Sequence, residues 1–166
     1  HRSALDVLVL VETLPVPFRF VAKKELRWIP LFGWALFLGR HVFIDREDRM
    51  KAIQSLAEAA DRVRTGTNVI LYPEGTRSPT TELLPFKSGG FHMALDAGVV
   101  VVPVSVSGSQ RLAPKGSLKV RSGKIRIVFG KPIASRDFDF DRRHAFMETI
   151  RQTIAAGLEH DLDKLP

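Results

Sequence analysis

Apolar residues occur in short blocks whose spacing changes along the chain, and each change marks an element. Residues 8–14 form an apolar segment stopped by Pro15 and Pro17, which predicts a helix. Phe18-Arg19-Phe20-Val21-Ala22 alternates like a strand, because successive side chains of an extended backbone face opposite sides. Residues 25–38 are apolar nearly all round, so a second, mostly buried helix is expected there. A short strand, His41-Val42-Phe43-Ile44, follows. The clearest helix covers residues 48–64, where Met50, Ile53, Leu56, Ala60 and Val63 recur at helical spacings until Thr65-Gly66. Asn68-Val69-Ile70-Leu71-Tyr72 is almost continuously apolar, the pattern of a parallel strand covered on both faces. Residues 88–97 read as a helix with Gly98 as its stop, and residues 99–106 as the most apolar strand. Strands alternating with helical segments from residue 18 to residue 106 predict an α/β layered fold with a largely parallel sheet flanked by helices. Beyond it, residues 118–129 read as a basic hairpin about Ser122-Gly123. Residues 142–158 read as an amphipathic helix with Phe146, Ile150, Ile154 and Leu158 on its inner face.

Composition narrows this picture little. The 166 residues, 45 % hydrophobic and 26 % charged, suit one globular domain, and no repeat or linker divides them. A chain that opens on a candidate catalytic histidine reads as a domain excised from a longer protein. Cysteine is absent, which removes disulfides and thiolate chemistry and fits a reducing compartment. No signal peptide opens the chain and no stretch has the ~18 apolar residues needed to span a bilayer. The longest uncharged run, residues 28–39, contains Pro30 and Gly33 and reads as a buried helix in preference to an interfacial one.

Charge changes the picture more. A formal net charge of +7 and a pI near 10.1 favour an anionic partner: membrane lipid, nucleic acid or a phosphorylated substrate. Arg111 to Lys131 holds seven basic residues and no acidic one. In a two-residue hairpin, Arg121 would oppose Lys124 and Lys119 would oppose Arg126 on one face, with Leu118, Val120, Ile125 and Ile127 on the other. Like charges placed opposite each other destabilise a ladder, so that face needs wide solvation or an anion; lysines that merely blunt a sheet edge are the plainer explanation.

Candidate chemistry starts at the first residue. His1 and Asp6 pair an imidazole with a carboxylate able to orient it, the arrangement by which a neutral imidazole takes a proton from a hydroxyl. Positions five apart lie about 140° from each other on a helix, so both face one substrate only if His1 precedes the helix. Taken alone, the pair is more often a chance surface pair. Glu74-Gly75-Thr76-Arg77-Ser78 follows an apolar strand, at the end of the sheet where open α/β folds bind ligands. Gly75 allows close backbone approach, Thr76 and Ser78 offer hydroxyls, and Arg77 presents a fork suited to phosphate that Glu74 could hold in place. An ordinary salt-bridged turn accounts for these residues equally well. Arg46 would join Arg77 if their two strands are neighbours, and Lys23 and Lys24 add cations at the same edge, with helix-entry and solvated strand-end charges as the plain alternatives. The P-loop spacing, zinc-ligand spacings, the Gly-x-Ser-x-Gly elbow and aromatics interleaved with basic residues are all absent, and no nucleic acid is expected as a partner.

Taken in order, His1-x-Ser3-x-x-Asp6, Phe43-Ile44-Asp45-Arg46, Glu74-Gly75-Thr76-Arg77-Ser78 and Val102-Pro103-Val104 resemble the four motif blocks of the glycerolipid acyltransferases, above all the 1-acyl-sn-glycerol-3-phosphate (lysophosphatidate) acyltransferases. Lys23-Lys24-Glu25-Leu26, Ile29-Pro30-Leu31-Phe32-Gly33 and Pro85-Phe86-Lys87-Ser88-Gly89 agree as connecting segments, and the likeness covers roughly residues 1–133. The resemblance implies a glycerol-3-phosphate acyltransferase-like fold and transfer of a fatty acyl group from acyl-CoA or acyl-carrier protein to the free hydroxyl of lysophosphatidate. In it, His1 is general base, Asp6 orients it, Arg46 and Arg77 hold the acceptor phosphate, and Glu74, Gly75 and Thr76 shape the pocket. Lys23 or Lys24 contributes to phosphate or oxyanion binding, and Val102-Pro103-Val104 forms a wall of the acyl pocket. No cofactor and no metal is expected beyond the acyl donor. An anionic membrane surface, at the cytoplasmic face of a membrane, is the expected setting. Another acceptor (glycerol-3-phosphate, another lysophospholipid, an acylated amino-acid lipid) or a non-catalytic basic membrane-binding domain are the competing possibilities. The family continues upstream of the histidine with an asparagine, a strand and a membrane-associated helical segment, which this chain does not contain.

Overall fold

The computed structural model describes residues 3–80, 82–114 and 119–158. Helix α1 spans Leu5–Thr13 and β1 spans Phe18–Lys23, with the prolines between them preventing helix from continuing. A 3₁₀ turn, Lys24–Trp28, and α2, Phe32–Leu38, cross over to β2, Val42–Ile44. Helix α3, Arg49–Arg64, begins where the Asp48 carboxylate accepts from the Met50 and Lys51 N–H groups, which have no partner inside the helix. Strand β3, Asn68–Ile70, leads through the Glu74–Ser78 loop to α4, Gly89–Ala97, closed by Gly98 at φ 62°. Then come β4, Val100–Val101; β5, Val104–Ser107; a short α5, Ser109–Leu112; β6, Arg126–Phe129; β7, Ile133–Ala134; and α6, Arg143–Leu158.

The α/β layering is as expected, with parallel pairing confined to the first three strands in the order β2-β1-β3. Strand β4 pairs antiparallel with β7, and β5 with β6. Two apolar clusters fill the interior. Val21, Val42 and Ile44 of the parallel sheet pack on Ala59 and Ala60 of α3 and on Met93 and Ala97 of α4. The other face of α4, Phe91 and Ala94, packs on Phe146 and Ile150 of α6. Helix α4 thus joins the layers, and Phe146 is fully buried, on the inner face foreseen for the last helix.

Four expectations are corrected. Residues 25–38 do not form one buried helix: Pro30 interrupts it, and Trp28, Leu31, Phe32, Trp34, Phe37 and Leu38 lie exposed, with Gly33 the buried residue of α2. A Cβ on Gly33 would fall 2.2 Å from the Arg27 carbonyl oxygen, so only glycine lets α2 lie this tightly against the preceding turn. On α3, Met50 and Ile53 face solvent; the packed face is Ala52, Leu56, Ala59, Ala60 and Val63. The strand expected over residues 99–106 is broken at Pro103, which has no N–H for the ladder. The hairpin about Ser122-Gly123 does not form. Residues 119–125 carry no strand, Val120 is exposed, and β6 pairs with β5 in the register Val106↔Ile127. An isolated two-stranded ribbon with opposed cations is marginal, whereas β5 offers an apolar neighbour already packed against α6. Leu118 lies outside the described residues.

Candidate active site

Helix α1 starts at Leu5, so the chain before it has the loop-to-helix boundary that the His1/Asp6 spacing demands. His1 itself lies outside the described residues. Asp6, in the first helical turn, is 1 % exposed, and its Oδ2 accepts from the Ser3 N–H at 3.1 Å, so the carboxylate is turned back toward the start of the chain. Ser3 is itself pinned: its hydroxyl donates to the Ala113 carbonyl (2.7 Å) and accepts from the Leu5 N–H (3.2 Å). Three short bonds therefore hold the backbone that presents Asp6, and a buried carboxylate so held keeps one orientation.

The second group comes from the loop after β3. Gly75 has φ 71°, a conformation open to glycine at little cost, and its carbonyl accepts from Arg46 Nη1. Strands β2 and β3 are not neighbours, because β1 lies between them. The condition for bringing Arg46 to Arg77 fails as stated, yet Arg46 reaches the same loop by spanning the end of β1, about 10 Å for two strand spacings. Arg77 sits half-buried two residues beyond Gly75 and forms no ion pair among the described residues. Glu74 is 3 % exposed and accepts from the Leu84 N–H at 2.9 Å, so it ties the loop to the segment entering α4 instead of steadying the Arg77 fork. Thr76 is exposed. Ser78 is buried, its hydroxyl donating to Glu82 O (2.9 Å) and accepting from Thr80 N–H (3.2 Å), which makes it a loop brace and not a ligand hydroxyl.

The two lysines differ. Lys24 Nζ lies 2.6 Å from Asp45 Oδ2, and that hydrogen bond raises the lysine pKa and lowers the aspartate's. Asp45 also accepts from the Glu47 and Asp48 N–H groups, so Lys24 locks the turn that carries Arg46. Lys23 pairs with Glu25 at 3.3 Å near the surface.

Two residues not singled out from the sequence belong here. Tyr72, at the end of β3, is held well above the ordinary phenol pKa first by burial and then by the Asp6 carboxylate, so it stays a protonated hydroxyl beside that carboxylate. Its place directly before Pro73-Glu74-Gly75 was the available signal. Lys87 lies over the Gly75 loop, its Cγ 3.4 Å from where a Cβ on Gly75 would stand and its N–H on the Pro73 carbonyl at 2.7 Å. It belongs to the Pro85-Phe86-Lys87-Ser88-Gly89 segment.

Asp6, Tyr72 and Glu74 stand along a cavity of about 570 Å³ that opens between β3 and the β4–β5 segment, where no strand pairing closes the sheet. Its walls are otherwise mainly apolar, from Leu10, Ile70, Phe91, Val102-Pro103-Val104 and Ile154. That size suits one extended apolar ligand group, and Thr67, Asn68 and Ser105 add polar groups elsewhere on its wall. No group of three or more His, Asp or Glu side chains that could hold a metal ion occurs among the described residues. The arrangement can orient a base, take an anion on Arg46, Arg77 and Lys87, and bury an alkyl chain.

Comparison with known proteins bears on the fold and the family. The acyltransferase family model matches residues 1–107. The chain is 36 % identical over 151 residues to the 1-acyl-sn-glycerol-3-phosphate acyltransferase of Cocos nucifera, covering 90 % of this chain and 49 % of that protein. It is 34 % identical over 155 residues to the human 1-acyl-sn-glycerol-3-phosphate acyltransferase alpha, covering 93 % and 55 %. It spans about half the length of these curated relatives. Among solved structures, it is similar to the 1-acyl-sn-glycerophosphate (LPA) acyltransferase PlsC from Thermotoga maritima, with TM-score 0.78 and 29 % identity over 97 % of this chain and 65 % of that one. With the fold matched to that depth and the motif blocks inside the matched region, the chain belongs to the acyltransferase family.

Proposed function

We propose that the protein transfers a fatty acyl group from acyl-CoA or acyl-carrier protein to the free hydroxyl of 1-acyl-glycerol-3-phosphate, giving phosphatidate. The observation that carries this reading is the buried Asp6 carboxylate, aimed toward the chain start, on a large apolar cavity whose other polar edge adjoins the Arg46–Gly75 loop. The names of the relatives support the same acceptor.

His1 takes the proton of the acceptor hydroxyl while Asp6 stabilises the imidazolium that forms. The oxygen attacks the thioester carbonyl carbon; the C–O bond forms, the C–S bond breaks, and the proton passes from His1 to the departing thiolate. Base and acid are the same group, so no acyl-enzyme is needed, in keeping with a chain that lacks cysteine. Tyr72 remains a hydrogen-bond donor throughout, because its phenol does not ionise in the working range. Arg46 and Arg77 bind the acceptor phosphate with charge-assisted hydrogen bonds, Lys87 adds charge from above the loop, and the alkyl chain lies in the apolar cavity at roughly 0.8 kcal/mol per buried methylene. Glycine suits position 75 because its φ of 71° strains a residue with a side chain; the neighbours, Lys87 Cγ at 3.4 Å and Arg46 Nη1 at 3.9 Å from a Cβ placed there, would be in ordinary contact.

The test is acyl transfer measured with lysophosphatidate, glycerol-3-phosphate and a phosphate-free monoacylglycerol, each with both donors. Preference for lysophosphatidate is expected. Equal turnover of the phosphate-free acceptor would remove the anion site from the mechanism, and preference for glycerol-3-phosphate would move the acyl cavity entirely to the donor.

A further inference from the structure

The crossover between β1 and β2 breaks the usual rule for apolar side chains. Trp28 is 82 % exposed, Leu31 76 %, Trp34 61 % and Leu38 79 %, with Phe32 and Phe37 beside them. With Ile29, seven large apolar groups within eleven residues form one knuckle, far more than the scattered exposed leucines of an ordinary surface. The backbone is strained to display it. Leu31 (φ 63°) and Arg40 (φ 54°) are the non-glycine residues with positive φ among the described residues, and they flank α2 on either side.

A second observation adjoins the knuckle. A cavity of about 640 Å³ lies between α2, the start of β2 and the outer face of α3, separate from the Asp6 cavity. It shares Phe37 and Leu38 with the knuckle and is lined by three arginines, Arg27, Arg40 and Arg62, with Glu58 as its acidic residue. Arg27 is stacked over the Phe37 ring at 4.5 Å, and Arg62 Nη1 donates to the Arg40 carbonyl at 3.0 Å, so two of the three are held in place without a carboxylate partner. His41, on the same wall, has its pKa lowered by burial and then by the Arg19 charge. Charged arginine planes beside exposed tryptophans match the level of a bilayer where headgroup phosphates meet the acyl chains.

We propose that the Trp28–Leu38 knuckle inserts into an anionic phospholipid surface and that the Arg27/Arg40/Arg62 cavity takes a lipid headgroup phosphate. Among the described residues of the basic segment 111–131, Val120 and Phe129 are the exposed large apolar side chains, against seven in the knuckle, so the knuckle and not that segment is the docking face. The crossover leaves β1 at the strand end that carries Lys24, Asp45 and Arg46 and returns at the start of β2, where Arg40 and Arg62 meet, so the headgroup cavity lies toward the opposite end of the parallel strands from the anion loop. The docking surface stands independently of the acyl-transfer chemistry, because binding is read without turnover.

The chain's two tryptophans are both on the knuckle, so intrinsic fluorescence reports this surface alone. Phosphatidylcholine vesicles with and without phosphatidylglycerol are added to the protein, some carrying brominated acyl chains. The expected result is a blue shift and bromine quenching of the tryptophan emission, stronger with phosphatidylglycerol. The triple change Arg27→Gln, Arg40→Gln and Arg62→Gln weakens partitioning into the anionic vesicles by up to about a hundredfold, and the equal-charge change Lys119→Gln, Arg121→Gln and Lys124→Gln by far less. Vesicle co-sedimentation without spectral shift or quenching overturns the proposal, as does an equal loss in the two triple variants. A blue shift that grows with protein concentration in the absence of vesicles also overturns it, and assigns the knuckle to a second copy of the chain. The quenching arm uses the unaltered protein, so it decides the matter even if a variant fails to fold.

Discussion

Two regions of the molecule invert the burial rule in opposite directions. At the start of α1 and the end of β3, Asp6, Ser3 and Glu74 are buried although they are polar; between β1 and β2, Trp28, Leu31, Trp34 and Leu38 are exposed although they are apolar. Buried polar groups cost free energy unless each is bonded, and here each has a bond: Ser3 N–H on Asp6, the Ala113 carbonyl on Ser3, Leu84 N–H on Glu74. Exposed apolar groups cost free energy too, and nothing in the described chain covers them. The first region turns its polar groups inward, and the proposed chemistry is placed on it. The second is incomplete, which is the mark of a surface that meets something else.

The comparison breaks first at Asp6. Asp6→Asn keeps the shape and removes the charge, so kcat/KM for acyl transfer falls about 10²–10⁴-fold while the melting temperature moves little; a variant that unfolds instead makes Asp6 a structural carboxylate. Stability separates the regions next. Phe146→Ala, in the cluster under α4, costs about 3–5 kcal/mol, whereas Trp28→Ser changes stability by no more than about 0.5 kcal/mol, both read from denaturant melts. A large loss at Trp28 would show that the knuckle is packed in solution.

How much of this was legible in the sequence follows from the range of the interactions. The α3 start was readable because its signal, Asp48, is local, and the inner face of α6 because its period is local. The ordered blocks around Asp6, Arg46 and Gly75 carried the family and named the candidate site. The exposure of residues 28–38 was not readable, since an apolar run looks the same whether its partner is the protein's own core or something outside. Nor was the place of β1 between β2 and β3, which depends on pairings as far apart as Phe18↔Asn68. The hairpin was misread because Ser122-Gly123 is a good local turn, while β5, some twenty residues earlier, is the better partner for β6. The break at Pro103 was open to reading, since proline cannot serve a ladder from both sides.

Smaller effects sharpen the comparison further. Arg77→Ala raises the KM for lysophosphatidate about 10- to 100-fold, from loss of hydrogen bonds to a charged group, and leaves the donor KM nearly unchanged. Equal changes in both would detach Arg77 from the acceptor. The smallest effect is a pH dependence on the knuckle side. His41 Nδ1 accepts the Phe20 N–H at 2.8 Å, which requires the neutral ring, and burial followed by the Arg19 charge holds its pKa below the usual value of about 6.5. The unfolded chain therefore binds the proton more readily than the folded one. The contribution is complete above about pH 6.5 and is lost as pH falls through the lowered folded value. His92, lowered by burial and by Arg143, has the same sign. Thermal midpoints should drop as pH falls below about 6.5, and less so in His41→Asn; an unchanged drop would place the titration elsewhere. The lowered carboxylates Asp45 and Asp48 act only at more acid pH.

The most direct test of the proposed chemistry is the rate of acyl transfer to lysophosphatidate by His1→Ala beside the unaltered protein, both bound to the same vesicles at saturating substrate. A fall of at least about 10²-fold with acceptor binding retained is the predicted result. Transfer continuing at the original rate would contradict it and leave Asp6 with no base to orient.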